Sequence, residues 1–227
     1  MPPSKDFDRD GPLQCYDNKS DERRPTIGER SPMHSDKIRL VAPEARLETP
    51  RLFLEPILPA HAYTLYEPLQ DEPLYRFIPQ DPPASRQALE ERYDFLSARR
   101  SPDGREAWLN WAVLVRGSGD FAGTIEATLH ENLEATIAYT VFVPYQRRGF
   151  AAEACERLLE HLFGDYGVGV AAAEIDTRNA ASIALVESLG FRRVALQKDA
   201  DHFKCSSSDE YRYELGESVW REGHARS

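Results

Sequence analysis

The sequence is short of cysteine and methionine, has no excess of basic residues, and contains no long apolar run. Each shortage excludes something. The three cysteines, Cys15, Cys155 and Cys205, are odd in number, far apart and without CxxC spacing. Neither a disulfide framework nor a zinc or redox motif is therefore expected, and a reducing, cytoplasmic setting is the default. The longest uninterrupted apolar run in 227 residues, Trp111 to Val115, is five residues. A membrane-spanning helix needs about 20. The first 30 residues lack an apolar h-region and are not read as a secretory signal peptide. Lys and Arg number 28 against 38 Asp and Glu, a formal net charge of −10. No nucleic-acid partner is expected, because neutralising phosphates needs a Lys/Arg surplus on some face. An amine-bearing, cationic partner is the natural complement of such a chain.

What is present is enough for one core, since apolar residues make up 41% of the chain. Residues 1–44 hold 8 basic and 9 acidic residues with six prolines, whereas residues 45–227 hold 20 and 29. The front segment has too little apolar surface to offset its ordering entropy and is expected to be a disordered extension. Met33 is the only methionine after Met1, and residues 1–32 are read as dispensable or as an over-long start. One domain over residues 45–217 is expected, followed by a flexible tail, 218–227.

Within the domain, Arg51 to Pro56 alternates as a strand. A helical stretch, AHAYTLYEPLQ, follows Pro59, and Ser85 can N-cap a helix bearing Leu89, Tyr93 and Leu96 on one face. Trp108 to Arg116, Phe121 to His130 and Ala135 to Val143 read as an antiparallel meander. Beyond Pro144, the last of 16 prolines, apolar residues from Ala151 to Phe163 recur at helical spacing. The strand AAAEIDT, a helix opened by Asn179 and closed by Gly190, and the strands Phe191 to Gln197 and Glu210 to Leu215 complete the order. The expected fold is α/β (α+β): a mixed, mostly antiparallel sheet of about seven strands with about four helices.

The chemistry concentrates between the fourth strand and the long helix, at Gln146-Arg147-Arg148-Gly149-Phe150-Ala151. A strand entering a glycine turn and then a helix N-terminus aims free amides and the helix dipole at one point, as a pyrophosphate requires. On spacing alone an anion seat and a plain turn with solvated arginines are equally compatible. A P-loop is excluded because no G-x-x-x-x-G-K-[ST] occurs. Gly117-Ser118-Gly119-Asp120-Phe121-Ala122 imitates a dinucleotide fingerprint, but it precedes a strand and reads as a hairpin turn.

PYQRRGFAAEA resembles the Q/R-x-x-G-x-G/A coenzyme A loop of the GNAT N-acetyltransferase superfamily, and NAASIALVESLGF resembles that family's second motif. The resemblance spans roughly residues 46–216 and is nearest to the ribosomal-protein N-terminal acetyltransferase-like branch. It implies a sheet splayed between the fourth and fifth strands, with acetyl-coenzyme A as acyl donor and no metal. It further implies that backbone groups of Val141, Phe142 and Val143 hold the pantetheine arm. Gln146, Arg147, Arg148, Gly149, Phe150 and Ala151 would surround the pyrophosphate, while Asn179 and Ser182 would contact the coenzyme. Ala151 stands where the family more often has glycine. Asn179 is equally a plain N-cap, and both roles are compatible.

Transfer to an amine needs a nitrogen lone pair, so a base is expected. Glu174 matches a glutamate used as base in some relatives implied by the resemblance. Glu126 is the alternative, on the strand face with Thr124, Thr128 and His130, where partial burial would raise its pKa. Each is alternatively a satisfied strand carboxylate. The tyrosine that the resemblance implies as thiolate acid is replaced by Val186, leaving Ser182 or water. Phe77, Trp108, Asn110 and Trp111 are the acceptor-side candidates, although strand aromatics also serve cores. Asp201, His202 and Cys205 lack a fourth ligand, so metal binding is not expected. The function expected is acetyl transfer to a primary amine, on a small molecule or a protein N-terminus, against the alternative of a non-catalytic coenzyme-binding module. Formation of a homodimer is left open.

Overall fold

The computed structural model describes Val41, residues 45–204 and residues 206–224. The expected disordered extension lies outside these residues apart from Val41, as does Cys205 of the Asp201–Cys205 group.

Eight strands form one sheet: β1 (Leu47–Glu48), β2 (Leu52–Pro56), β3 (Ala107–Val115), β4 (Phe121–Leu129), β5 (Glu134–Val141), β6 (Val170–Asp176), β7 (Arg192–Phe203) and β8 (Ser206–Gly216). Their order is β1-β2-β3-β4-β5-β6-β8-β7. All pairs are antiparallel except β5 with β6. The sheet exceeds the expected seven strands by the two-residue edge strand β1, so the expected fourth and fifth strands are β5 and β6. Among the described residues five α-helices accompany it: α1 (Ala62–Leu65), α2 (Arg86–Ser97), α3 (Phe150–Gly164), α4 (Ala180–Ser188) and α5 (Glu217–His224). None of these is long and apolar enough to cross a membrane.

Local chemistry accounts for the helix boundaries. The stretch AHAYTLYEPLQ yields only the four-residue α1, because Pro68 carries no N–H for a continuing helix; a 3₁₀ turn, Pro68–Gln70, follows instead. Ser85 accepts a hydrogen bond from the Ala88 amide (3.0 Å) and starts α2. The Gly117–Asp120 segment is the β3–β4 hairpin turn, with Gly119 donating to the Val115 carbonyl. One expectation needs correcting. Residues 217–224 form α5 rather than a flexible tail, and Trp220 is buried against Phe163 with ring centroids 6.1 Å apart. Trp220 supplies that docking surface, in a segment of only eight residues with a single buried apolar side chain.

Cross-strand partners share a face. Leu109–Ala127–Ile137 and Trp111–Ile125–Tyr139 form rows on one side, packed against Ala154, Leu158 and Leu162 of α3 in the main core. Trp108–Thr128–Thr136, Asn110–Glu126–Ala138 and Ala112–Thr124–Thr140 form rows on the other side. There α1 and α2 cover only part of the sheet, through a second cluster of Ile57, Ala62, Leu65, Leu89, Tyr93, Ala112 and Phe142. Glu126 and Ala138 are exposed although they sit on central strands. The α1/α2 side of the sheet is therefore open at its middle.

Candidate active site

The expected anion seat falls where β5 ends. Gly149 precedes α3 with φ +78°, and Arg147 also has positive φ, +59°. Left-handed residues this close together turn successive amides toward one concavity. The first intrahelical bond runs from the Glu153 amide to the Gly149 carbonyl (3.1 Å). The amides of Phe150, Ala151 and Ala152 therefore have no helical partner, and the helix dipole adds positive potential there. A clamp holds the turn. The Arg51 guanidinium donates to the Arg148 carbonyl (3.0 Å) and pairs with Glu153 (2.5 Å), whose other oxygen accepts from Thr49 Oγ1. Arg51 and Arg148 also lie over the Phe150 ring at 4.8 and 5.0 Å. Phe150 itself is core, so only its backbone serves the seat.

Beside the seat the sheet opens. β5 pairs with β6 only over Glu134–Val170, Ala135–Ala171 and Thr136–Ala172, although β5 continues to Val141 and β6 to Asp176. The Phe142 amide donates to Ala122 on β4 (2.8 Å), which fixes the alternation: Ala138 and Thr140 also face β4, whereas Tyr139 and Val141 face the gap. The Val141 carbonyl is engaged by Gln146 Nε2 (2.9 Å), leaving its N–H for a ligand. Across the gap, Asn179 N-caps α4 by accepting from the Ser182 amide (3.2 Å). Helix α4 is apolar on nearly every side, yet Ala180, Ala181 and Ala184 are exposed. A helix apolar all round belongs in contact with something.

On the opposite side of the sheet, Glu126 and Ala138 lie exposed beside the buried Asn110 and floor an open trough. Burial raises the Glu126 pKa, opposed by the Arg92 charge. The carboxylate is open to solvent yet surrounded by protein on several sides, the environment of a concave wall. Tyr93 of α2 is close enough to feel the Glu126 charge. Glu174 is held differently: its carboxylate pairs with Arg212 at 3.2 Å, and Arg212 also bonds Glu134 and Glu214. Glu210 is half-buried, and its pKa is raised by burial and by the nearby charges of Glu174, Asp201 and Asp176. At the rim, Lys204 in the β7–β8 turn donates to the carbonyls of Tyr75 and Ile78, which ties that turn to the loop before α2.

Residues 51–192 match the family model described as the acetyltransferase (GNAT) domain, well over half of the chain. The chain belongs to the GNAT acetyltransferase family. It is 27% identical over 107 residues to the uncharacterized N-acetyltransferase p20 of Bacillus licheniformis, a match covering 46% of this chain and 60% of that relative's length. Two solved structures share the fold. One is the spermidine N-acetyltransferase from Vibrio cholerae in complex with CoA and spermine (TM-score 0.65, 17% identity, 76% of this chain and 99% of that one). The other is the Salmonella typhimurium acetyl transferase that modifies the N-terminal serine of ribosomal protein L7/L12 (TM-score 0.67, 15% identity, 76% and 99%).

In this GNAT domain the expected site residues fall into separate groups. Gln146, Arg147, Arg148, Gly149, Phe150 and Ala151 fall together on the turn entering α3, Val141 and Val143 on the segment just before it, and Asn179 and Ser182 at the start of α4. Phe142 does not offer a free backbone group: its amide and carbonyl are used by Ala122 and Tyr145, and its side chain is in the second cluster. Trp111 is a core residue on the α3 side, beside His161, and is removed from the acceptor candidates. Trp108 and Asn110 do share the open side with Glu126; Trp108 leans on Phe95 of α2 and donates to Glu106. Phe77 is half-buried in the loop tied by Lys204, under the Arg76 guanidinium. Glu126 is more exposed than expected, because the helices leave the trough open, but the protein around its carboxylate raises its pKa in the expected direction. Arg51, Tyr139, Asp176 and Glu210 escaped sequence reasoning. For Arg51 the only signal was Glu153 in the first turn of α3.

Asp176 anchors the loop that presents Asn179. Its buried carboxylate accepts from the Arg178 amide (2.7 Å), the Arg178 guanidinium and Ser208 Oγ (2.6 Å). Burial alone would raise its pKa, but these hydrogen bonds outweigh that and hold it at about 2, from 3.8. The folded pKa is depressed, so this contribution is present above pH 4 and is lost as pH falls toward 2. It is worth about 2 kcal/mol. Asp176→Asn is expected to lose that amount at pH 7 in denaturant unfolding, with the gap to wild type closing in acid. A constant gap across the same pH range would show that the ionised carboxylate is not what stabilises the loop.

Proposed function

We propose that this protein transfers the acetyl group of acetyl-coenzyme A to a primary amine within a ternary complex. One observation carries this reading: the opening between β5 and β6 joins an anion seat at the N-terminus of α3 to a carboxylate-floored trough on the opposite face of the sheet. A donor lying between α3 and α4 would bring its thioester to the opening. An amine arriving from the trough would then meet it there without competing for the same space.

An α-amine with pKa near 8 is protonated at pH 7 by about 1 kcal/mol, and a lysine-like amine near 10.4 by almost 5. Glu126 is the base in this reading. Its raised pKa makes it a better proton acceptor than an ordinary carboxylate, and Glu174 is committed to Arg212. The protonated amine gives one proton to Glu126, directly or through water, and attacks the carbonyl carbon; the tetrahedral nitrogen then loses its second proton to water as the carbon–sulfur bond breaks. The N–H groups of the β5 edge at Val141 are placed to polarise the carbonyl oxygen. Glu174, Glu210 and Asp201 add negative charge on the open side of the sheet and favour a cationic acceptor. A polyamine and a peptide α-amine both satisfy that, and the two structural relatives act on one of each kind.

The test is thiol release from acetyl-coenzyme A against a panel of polyamines, aminoglycosides and peptides with free N-termini. Turnover on at least one amine, with a steep dependence on that amine's charge, is expected. Tight coenzyme binding without turnover on any of them would leave the non-catalytic module as the correct description.

A further inference from the structure

Resting on the reading of the site as an acetyltransferase, we infer that the Tyr139 hydroxyl is the group that receives the departing sulfur. When the tetrahedral intermediate collapses, the carbon–sulfur electron pair goes to sulfur, and a thiolate forms in a partly dry groove. Some donor must meet that charge. Val186, which stands where the family motif has a tyrosine, is fully buried and apolar. Tyr139 lies on the splayed edge of β5, three residues beyond the last pairing with β6. Tyr139 lines a small cavity with Val141, Phe150 and Ala151, which lie at the turn into α3, and with Gly123, Ile125 and Ala154 of the neighbouring sheet and core. Its hydroxyl reaches across to α4 and donates to the Ser182 carbonyl at 3.4 Å. That bond is long enough to be given up readily to a stronger acceptor. The Ser182 side chain is near enough to interact with the same phenol, whose pKa is raised by burial, so it stays protonated as a donor across the working pH range.

The step balances without a further reactant. The ammonium's first proton goes to Glu126 before attack, the second passes from the tetrahedral nitrogen to solvent water as the intermediate collapses, sulfur keeps the bonding pair, and the Tyr139 O–H turns from the Ser182 carbonyl to the sulfur. The phenol need not ionise, because a thiolate with a reference pKa near 8.5 can leave as such and take its proton from solvent on release. Tyr139 is therefore a hydrogen-bond donor to a reacting atom.

Tyr139→Phe removes only that donor. With the best amine of the panel, kcat is expected to fall about tenfold, the scale of one hydrogen bond to a charged group. The KM for acetyl-coenzyme A and the affinity for desulfo-coenzyme A should stay at wild-type values. A second readout is the ultraviolet thiolate absorbance of bound coenzyme A, titrated with pH. The bound thiol's pKa should lie below that of the free thiol in wild type and rise by about one unit in Tyr139→Phe. A merely structural tyrosine would lower thermal stability or desulfo-coenzyme affinity and leave the bound thiol's pKa unchanged, which overturns the inference. So does a wild-type bound thiol that titrates at or above the free value, a measurement that does not depend on the variant folding. Wild-type protein that turns over normally while Tyr139→Phe matches it in kcat sinks this assignment alone. Wild-type protein that acetylates no amine sinks the underlying reading with it.

Discussion

Glu126→Gln is expected to lower kcat by a hundredfold to a thousandfold, the range over which positioned proton transfer contributes to catalysis. The KM for acetyl-coenzyme A should stay unchanged, since Glu126 lies on the trough side of the sheet and the donor seat on the other. Wild-type kcat/KM should rise with pH through the ionisation of Glu126, which burial places above the ordinary carboxylate range, and the variant should lack that acid limb. Stability should move the opposite way from activity. A carboxylate whose pKa is raised on folding is ionised at a cost in the folded state, so at neutral pH the charge opposes folding. Replacing it with Gln removes that cost, and the thermal midpoint should hold or rise. Glu174→Gln is the companion measurement. It breaks an exposed pair with Arg212, which is worth little, and should change kcat by no more than a few fold. A large loss in Glu174→Gln with wild-type activity in Glu126→Gln would reverse the assignment of the base.

The residues that were legible in the sequence are those whose chemistry is local. Gly149 at the end of a strand, Asn179 and Ser85 before helical runs, and the period-2 rows of β3 to β5 all act over a few positions, so their spacing reveals them. The two sides of the sheet could also be read at Asn110 and Trp111, but which side faces a ligand could not. Trp111 became core because α3 crosses its side, and Glu126 became exposed because α1, stopped by Pro68, covers too little of the other. Arg51 and Glu153 meet across 102 positions, and Tyr139 and Ser182 across 43. Such pairs are set by topology. Nothing near either residue announces them. Phe142 shows the opposite failure, since it sits within a motif whose neighbours face the ligand, and strand alternation turns its backbone toward β4 instead.

That alternation also identifies the residue on which the opening depends. Gly123 of β4 is opposite Val141, and a Cβ added there would lie 1.9 Å from the Thr140 carbonyl oxygen. No rotamer relieves such a contact, because both atoms belong to backbone or are fixed to it. The absence of a side chain at Gly123 is thus what lets β5 lie close against β4, in the stretch where it has already left β6. Gly123→Ala must push Thr140 and Val141 away from β4. It is expected to cost about 3 kcal/mol, the upper end of what overpacking costs in a well-packed interior, measured by denaturant unfolding. The displaced segment carries the Val141 N–H and the Tyr139 ring, so calorimetric affinity for coenzyme A should fall as well, even under conditions where the variant is fully folded. Gly164→Ala supplies the contrast. Gly164 closes α3 with nothing near its added Cβ, and the same chemical change there should stabilise by roughly half a kcal/mol through the unfolded chain. If Gly123→Ala unfolds at the wild-type denaturant concentration and binds coenzyme A as tightly, the close approach of β4 and β5 does not set the width of the opening. The splay would then have to be held from the β6 side, by the Asp176–Arg178–Ser208 anchor at its far end.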